Sequence, residues 1–327
     1  MKNPLCDELM LLQPTRTDAQ DLYSCYIVNC TLNALLIITA IIFNSVLIQA
    51  LRRTSSLSKP LRTFLFSLAV SDLGVGLVAQ PLYLLLLVRW LQKNTEYHPS
   101  CALYTAYALI GILFSVSSFF GLMALSADRF LAIHLHLRYR KCVTRKRVVF
   151  GVVALWVLSI ILSLFMLWVS PNVATVVHTT VCIACLSVST VFYSKIYLTV
   201  RCHKNQIQVL QVQKQEQDVE ATATDLISRR KSAIGTFYVY LMFFICYVPL
   251  ACTFAVTLAF DSSSAIKIST ISSWTLVFFN SSLNPVIYCW KMRHLRHAVI
   301  NMLRNFIPNH GRREMRIPVR QRVCITE

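Results

Sequence analysis

The polar and apolar positions of this chain fall into long blocks, several of which contain no charged residue over the length of a membrane span. A helix needs about 20 apolar residues to cross the hydrocarbon core of a bilayer. Five blocks satisfy this length individually, and each predicts one transmembrane helix: Leu22 to Leu51, Thr63 to Val88 with Asp72 as its one charge, Pro99 to Ala127, Ser232 to Phe260, and Ile268 to Trp290.

A sixth block, Val148 to Ser194, is too long to be one span because it has 47 residues without a charge. At 1.5 Å per residue, a helix of that length would measure roughly 70 Å, about twice the thickness of a bilayer. Ser170-Pro171-Asn172 is the natural place for a turn between two spans. The pattern therefore predicts seven spans, an all-α integral membrane protein built as a seven-transmembrane helix bundle.

The composition agrees with this fold class. Of the 327 residues, 56% are hydrophobic and only 14% are charged, whereas a soluble domain has about a quarter charged residues. The N-terminal 20 residues have no apolar segment typical of a cleaved signal peptide, so the first span is expected to direct its own insertion.

The positive charges predict the orientation of the bundle. Lys and Arg number four in residues 51–62, seven in 129–147, seven in 195–231 and nine in 289–327, which together are 27 of the 32. These segments alternate with the spans, and cytoplasmic loops carry the excess of positive charge. The N-terminus is therefore predicted outside and the C-terminus in the cytoplasm. The net charge of +18 reflects this rule and contact with anionic lipid, so nucleic-acid binding is not expected.

A group of polar residues lies at matching depths within the predicted spans. Asp72 is the one charge deep in a span, and a charge at that depth is costly unless it has a function. The residues expected near it are Asn44, Ser118, Asn280, Ser281 and Asn284. A carboxylate surrounded by hydroxyl and amide oxygens suits a small hard cation, most simply Na⁺, and the alternative is a structural hydrogen-bond network around a protonated Asp72.

The sixth and seventh spans each contain a proline, which removes a backbone hydrogen bond and kinks a helix. Pro249 lies in the sixth span beside Phe243 and Tyr247, and Pro285 lies in the seventh. Kinked helices around a polar centre indicate an element with two alternative packings, although transporters share this feature. The Asp128-Arg129 pair ends the third span, where a charge pair is ordinarily only an interfacial anchor.

Taken together, these residues resemble the rhodopsin-like (class A) family of G-protein-coupled receptors over roughly residues 22–305. The resemblance rests on one motif in each span: Asn44, Leu68-Ala69-Val70-Ser71-Asp72, Ser118 with Asp128-Arg129-Phe130, Trp156, Tyr193, Phe243 with Cys246-Tyr247-Val248-Pro249, and Asn284-Pro285-Val286-Ile287-Tyr288. Lys291 to Asn305 is similar to the family's amphipathic eighth helix. The branch containing melanocortin, adenosine and cannabinoid receptors looks nearest, because the second inner loop is similar to that of melanocortin receptors and Cys185 replaces a helix-five proline.

The resemblance implies three sets of functional residues. Ligand binding is expected at Tyr107, Gly111, Ser115, His178, Tyr247, Leu250, Phe254, Trp274 and Phe278. G-protein coupling and activation are expected at Asp128, Arg129, Tyr193, Phe243, Tyr247, Pro249, Asn284, Pro285 and Tyr288. An allosteric Na⁺ is expected at Asp72, Ser118, Asn280, Ser281 and Asn284.

Several residues that bind the ligand in other branches of the family are replaced in this chain, which disfavours the ligand classes of those branches. Gly111 stands where aminergic receptors have an Asp, Phe254 where adenosine receptors have an Asn, and Phe278 where retinal pigments have a Lys. Leu82, Tyr104 and Ala108 stand where melanocortin receptors have carboxylates. The expected pocket is aromatic and apolar, which suits a hydrophobic or lipid-like ligand, with an acidic group if Arg89 or Lys267 reaches it. A peptide ligand remains open.

The resemblance also divides the chain. Residues 1–21 would form an extracellular tail, 22–290 the seven-transmembrane receptor domain, 291–305 the amphipathic helix and 306–327 a cytoplasmic tail. The expected function is transduction of an extracellular ligand into heterotrimeric G-protein activation at the plasma membrane, and the chain is not expected to be an enzyme. The alternatives are a non-signalling decoy receptor and a membrane transporter.

Three further expectations concern the loops. The C-terminal tail has few hydroxyl residues that could be phosphorylated. Arrestin is therefore expected to bind through the third inner loop when that loop is phosphorylated, at Thr222, Thr224, Ser228 and Ser232. Arg229-Arg230-Lys231 at the base of the sixth span would repel Arg129, which predicts raised basal activity. Cys101 either forms a disulfide with Cys6, Cys25 or Cys30, or is unpaired.

Overall fold

The computed structural model describes residues 19–54, 57–92, 101–135, 138–211, 217–259 and 263–306. The side chains of 19–21, 140, 171, 200, 202–232, 258, 294, 303, 305 and 306 lie outside that description. These residues are almost entirely helical, and no β-strand occurs among them. In chain order the helices are α1 (Ala19–Arg53), α2 (Lys59–Leu91), α3 (Cys101–His134), α4 (Tyr139–Cys142), α5 (Arg145–Phe165), α6 (Pro171–Gln211), α7 (Gln217–Ala259), α8 (Ser264–Lys291) and α9 (Arg293–Phe306).

The predicted seven-span bundle is confirmed. The spans are α1, α2, α3, α5, α6, α7 and α8, and the long uncharged block divides where expected, because α5 ends at Phe165 and α6 begins at Pro171. We call the end of the bundle predicted to face the cytoplasm the inner end and the opposite end the outer end.

Six of the described helices are long and apolar enough to cross a membrane on these grounds alone, and α8 is not among them. Its 28 residues are rich in Ser, Thr and Asn, and the polar ones are mostly buried, including Thr275, Asn280 and Asn284. Leu276, Phe279 and Val286 of the same helix are exposed. The seventh span therefore turns a polar face toward the other helices and an apolar face outward.

The outer surface of the bundle is apolar, as a lipid environment requires. Ile38, Phe150 and Ile161 are all more than half exposed. The interior contains a large apolar cluster toward the inner end, with Phe119, Leu125 and Phe243 fully buried. A smaller cluster lies toward the outer end of α1, α2, α3 and α8.

Helix α2 contains an irregularity that the apolar pattern did not predict. Its residues Val75–Ala79 form a π-helical turn between α-helical Lys59–Gly74 and Gln80–Leu91, and the Gln80 N–H donates to the carbonyl of Val75. The following residue, Pro81, has no N–H to continue the regular ladder. One extra residue in this turn changes the direction in which every later α2 side chain points.

The predicted third inner loop is mostly helical. α6 continues to Gln211 and α7 begins at Gln217, so the charged residues of 195–231 lie largely on extensions of the two spans. Ten of the 37 residues in this segment are Gln or Lys, which are good helix formers. The side chains of Arg229, Arg230 and Lys231, and the candidate phosphorylation sites beside them, lie outside the described part.

The predicted amphipathic helix is present as α9, which follows α8 after a single residue, Met292. Leu295 and Met302 are buried, whereas Arg293, Arg296 and Arg304 are exposed. Its apolar side therefore packs on the bundle and its basic side faces outward. Of the predicted tails 1–21 and 306–327, residues 1–18 and 307–327 lie outside the described residues, whereas 19–21 belong to α1 and 306 ends α9.

At the outer end of α3, Cys101 is disulfide-bonded. Cys25 and Cys30 are both free thiols, which makes two of the three predicted pairings wrong. The third candidate, Cys6, lies outside the described residues.

Candidate functional site

The predicted polar centre forms between α1, α2, α3 and α8. The Asn284 amide donates to one carboxylate oxygen of Asp72 at 2.8 Å, and the Asn44 amide donates to the carbonyl of Ser281 at 3.0 Å. Asp72 is 1% exposed. Asn284 thus contacts the buried carboxylate directly, and Asn44 joins the same group of polar residues through the backbone of Ser281.

Ser118 makes a different contact from the one expected. Its hydroxyl lies 2.9 Å from that of Ser71, and Ser71 also donates to the carbonyl of Leu68. Ser118 therefore joins α3 to α2 through the neighbour of Asp72, and its hydrogen bond to Ser71 is the contact that the sequence did not predict.

Several oxygens of the polar centre have no hydrogen-bond partner among the described residues. They are Oδ1 of Asp72, Asn44, Asn280 and Asn284. A buried polar atom is normally paired. A carboxylate and three amide oxygens without protein donors are a ligand set that suits a hard cation such as Na⁺, so the residues present fit the predicted ion.

The Asp128-Arg129 pair is buried at the inner end of α3. The Arg129 guanidinium donates to the Asp128 carboxylate, with Nε at 3.0 Å and a second, shorter contact from the same group. The Tyr139 hydroxyl of α4 donates to the other carboxylate oxygen at 2.6 Å. Both charged side chains are less than 5% exposed. This pair is therefore a buried ion pair tied to the second inner loop, and the surface-anchor interpretation is wrong.

Two tyrosines of the predicted coupling set are also buried at the inner end. Tyr193 of α6 packs on Tyr240 of α7, with ring centroids 5.1 Å apart, and Arg129 is among the polar neighbours of its hydroxyl. Tyr288 of α8 is 1% exposed. Neither hydroxyl has a hydrogen-bond partner in the described residues, so both could bind a new polar group if the helices separated.

A stack of three aromatic rings connects α3 to α7 in the middle of the bundle. Phe119 packs edge-on against Tyr247 at 4.4 Å and against Phe243 at 5.5 Å, and Phe243 and Tyr247 are parallel to each other. Pro249 follows within the same helix. The proline of α7 therefore lies two residues beyond Tyr247, next to the contact between α7 and α3.

A cavity of about 180 Å³ opens between the helices in the outer half of the bundle. Five of the nine predicted ligand residues line it: Tyr107, Gly111, His178, Phe254 and Trp274. The structure also places Tyr83, Trp90, Tyr104, Met166 and Lys267 in its wall. The wall is thus mainly aromatic and aliphatic, with a few hydroxyl groups.

The other four predicted ligand residues do not line the cavity. Ser115 is hydrogen-bonded to the His178 ring at 3.0 Å, and Tyr247 lies in the aromatic stack described above. Leu250 is 3% exposed. Phe278 packs behind the wall, 5.2 Å from Tyr83 and 6.3 Å from Trp274. All four side chains are instead buried or in contact with neighbouring residues outside the wall of this cavity.

The α2 side chains in the cavity wall were missed because their direction depends on the π-helical turn. Tyr83 and Trp90 follow that turn. Tyr83 donates to the carbonyl of Ile271 at 3.3 Å and contacts Tyr107 and Trp274. Pro81 is the one signal in the sequence that could have indicated the irregularity.

Lys267 is the one charged residue among the described residues that line the cavity. It lies in the first turn of α8 and is 5% exposed. Arg89, the other cation considered for this role, is exposed on α2 and does not line the cavity. The sequence identified both residues as candidates but did not indicate which of them lines the cavity.

A second polar network, which the sequence analysis missed, joins the outer halves of α1, α2 and α8. Asn33 donates to the Thr275 hydroxyl at 2.8 Å, and Thr275 donates to Asn29 at 2.6 Å. Gln80, directly after the π-helical turn, donates to Asn33 at 3.3 Å. Asn29 is 4% exposed, so this network is shielded from the surroundings of the bundle.

Comparison with known proteins places these features in a family. Residues 43–288 match the family described as 7 transmembrane receptor (rhodopsin family). The chain is 25% identical over 305 residues to the adenosine receptor A2b of Rattus norvegicus, with 82% of this chain and 87% of the relative covered. It is similarly 25% identical to the adenosine receptor A2b of Homo sapiens, with 81% and 86% covered. Over a shorter stretch of 133 residues, 41% of this chain and 37% of the relative, it is 33% identical to that of Gallus gallus.

Proposed function

Because the chain belongs to the rhodopsin family of seven-transmembrane receptors, we propose that it transduces the binding of an extracellular ligand into activation of a heterotrimeric G protein. The observation that carries this proposal is the combination of a cavity at one end of the bundle and the buried Arg129 at the other. The Phe119, Phe243 and Tyr247 stack lies between them on a proline-kinked helix.

The mechanism is a change in the packing of α7. Ligand in the outer cavity favours an arrangement in which α7 swings outward about Pro249 and separates from α6 and α8 at the inner end. Arg129, Tyr193 and Tyr288 then face a cleft that accepts the C-terminal helix of a G-protein α subunit. Such coupling between two sites amounts to about 1–3 kcal/mol and is reciprocal, so bound G protein must raise the affinity for ligand.

The cavity supports a particular class of ligand. Its aromatic wall suits an apolar body, and Lys267 at the rim suits a carboxylate or another acidic group. No carboxylate is found among the described lining residues, which disfavours cationic amines. We therefore expect an amphipathic acid.

Adenosine is not the ligand we propose, although the relatives are adenosine receptors. Phe254 stands where those receptors are expected to have an Asn, and it lines the cavity edge-on to Trp274 at 6.2 Å. A phenyl ring at that position can neither donate nor accept a hydrogen bond to a nucleobase. Specificity of this kind depends on such missing partners.

The proposal is tested by expressing the full chain in cells with a reporter for each G-protein α class. Amphipathic carboxylic acids are applied beside their own methyl esters, with adenosine as a separate addition. We expect acids to activate and esters and adenosine to fail. Lys267→Met should weaken the acids about tenfold to a hundredfold, because a charge-assisted hydrogen bond is worth about 1.5–3 kcal/mol.

Lys267→Arg is the matched variant, since it retains the positive charge and should retain most of the response. Acids and esters of equal potency would contradict the acidic group. A response to adenosine that Phe254→Asn strengthens would favour a nucleoside receptor instead.

We also propose that Na⁺ binds at Asp72, with oxygens of Asn280, Ser281 and Asn284 as the other candidate ligands. A bound cation would neutralise the carboxylate and favour the closed packing. The unpaired oxygens of the polar centre support this assignment, while the Asp72–Asn284 hydrogen bond is equally compatible with the alternative, a protonated carboxyl network.

Sodium should raise the thermal stability of the purified receptor relative to choline at the same ionic strength. A ligand present at ten times its dissociation constant stabilises by about 1.4 kcal/mol. Asp72→Asn should abolish the difference between the two salts while retaining the Asn284 contact. A difference that persists in the variant would place the cation elsewhere, and no difference in the unmodified chain would favour the protonated network.

The remaining partners follow from the surface of the bundle. The protein is a multi-pass membrane protein, and its exposed apolar side chains would contact lipid. We propose the plasma membrane as its location and an extracellular N-terminus, as the distribution of Lys and Arg indicates. Arrestin, if it binds, would contact the third inner loop.

Two other functions remain as alternatives. A decoy receptor would bind ligand without activating a G protein, and the buried Asp128–Arg129 pair argues against it. A transporter would require several charges along a path through the membrane. Among the described residues, Asp72 is the one buried charge between the Lys267 rim and the Asp128–Arg129 pair, which disfavours transport.

A further inference from the structure

Lys291, the last residue of α8, contacts aromatic rings from two helices at the inner end. Its ammonium nitrogen lies 3.9 Å from the ring centroid of Tyr238 on α7 and 3.5 Å from that of Trp290 on α8. The two rings are 5.7 Å apart and inclined by 58°. The ammonium therefore lies in a notch with one wall on each helix.

The backbone of α7 also approaches this region closely. Gly235 lies one turn before Tyr238 and is buried, and a Cβ atom placed there would be 3.3 Å from Cβ of Lys291 and 3.4 Å from Cε of Met292. Residues three apart lie on the same face of a helix. Gly235 and Tyr238 thus form one continuous contact with the junction of α8 and α9.

No carboxylate is available on this part of α7 to hold it closed. Between Ile227 and Tyr247 the chain has no Asp or Glu, and the guanidinium of Arg129 is bound to Asp128 on its own helix. The Lys291 notch is a contact between this part of α7 and α8 that includes a charge.

We propose that Lys291, seated between Tyr238 and Trp290, is a clasp that holds α7 against α8 in the closed state and sets the basal activity of the receptor. The inference rests on the proposed function, in which α7 swings outward at its inner end. That movement must carry Tyr238 away from Lys291 and separate Gly235 from Met292. The clasp opposes the raised basal activity expected from Arg229-Arg230-Lys231.

The size of the effect follows from the strength of the contact. A cation over an aromatic ring at a partly exposed site shifts an equilibrium by about two- to fivefold. Lys291→Met, which keeps the length of the side chain but removes the charge, should raise ligand-independent G-protein activation by that factor. Tyr238→Leu should raise it equally, and the double variant should add little to either.

Four further variants separate the clasp from other roles of a basic residue. Lys291→Arg should retain the basal activity, because a guanidinium also binds to aromatic faces. Arg304→Met removes a positive charge from exposed α9 and should change nothing. Gly235→Leu should raise basal activity by separating the helices, whereas Gly235→Ala should be close to unchanged. All values are normalised to the amount of receptor at the cell surface.

A second measurement keeps the inference independent of G-protein coupling. Spin-labelled unnatural amino acids at exposed Ile234 on α7 and Asn301 on α9 report the separation of the two helices in the purified full chain. Lys291→Met and Tyr238→Leu should each increase the population with the longer distance. Longer distances without any G-protein output would support the clasp and overturn the proposed function.

Two results would overturn the clasp. One is a Tyr238→Leu variant with unchanged distances and unchanged basal activity, which would show that Lys291 is only an anchor at the membrane surface. The other is a rise in basal activity for Arg304→Met equal to that for Lys291→Met, which would show that the charge alone matters.

Discussion

Replacing Arg129 with alanine is expected to abolish ligand-stimulated G-protein activation while the receptor still reaches the cell surface and binds its ligand. Arg129 is the guanidinium that the opened inner cleft would present to the α subunit, and the ligand cavity is in the opposite half of the bundle. Loss of one charge-assisted contact weakens an association by about tenfold to a hundredfold. The measurement is a panel of reporters covering every α-subunit class, with output normalised to surface expression.

The structure provides a reason to expect that this variant folds. Asp128 loses its ion pair, but the Tyr139 hydroxyl still donates to its carboxylate at 2.6 Å. Arg304→Ala, which removes an exposed arginine from the same end, should signal normally. Equal output from the unmodified chain and from Arg129→Ala in every class would favour the non-signalling decoy.

Gly111→Leu is expected to abolish the response to ligand by filling the cavity from its wall. A Cβ atom at Gly111 would have one neighbour within 4 Å, the Tyr107 ring at 3.9 Å, so the added side chain extends into the cavity without displacing the backbone. The cavity holds about 180 Å³, and a leucine occupies a large part of it. We expect the potency of any acid found in the screen to fall at least about a hundredfold, the loss of close to 3 kcal/mol of binding.

Basal activity and thermal stability should be unchanged or slightly improved, since glycine in a helix costs up to about 1 kcal/mol relative to better helix formers. Gly151→Leu is the matched control, because a Cβ atom at Gly151 on α5 has no neighbour within 4 Å. Unchanged potency in Gly111→Leu, measured by concentration–response curves, would show that the ligand does not bind in this cavity.

The polar centre shows which contacts can be predicted from the order of residues alone. Asp72 and Asn284 could be paired from the order of residues, because a lone charge inside a span must find a polar partner at its own depth. The contact at 2.8 Å confirms that pairing. The hydrogen bond of Ser118 to Ser71 could not be predicted, because depth alone does not say in which direction around the helix axis each side chain points.

The residues that line the cavity could be predicted less well from the sequence. The residues on α3, α6, α7 and α8 were found in part, but Tyr83 and Trp90 of α2 were not. Their direction depends on the five π-helical residues Val75–Ala79, and a single Pro81 is a weak local signal. Phe278 of α8 was expected in the wall but does not line the cavity, and its ring packs against Tyr83 at 5.2 Å.

The number of spans and the prolines inside the sixth and seventh of them were contained in the amino-acid sequence. The bilayer penalises each charge and each unpaired backbone group strongly and locally, so every span can be recognised without its neighbours. The cavity wall, the choice of Lys267 over Arg89 and the seat of Lys291 between Tyr238 and Trp290 depend on helix rotation and on distances between helices. These rotations and distances are set by the packing of segments that are far apart in the sequence, so they can be read only from the assembled bundle.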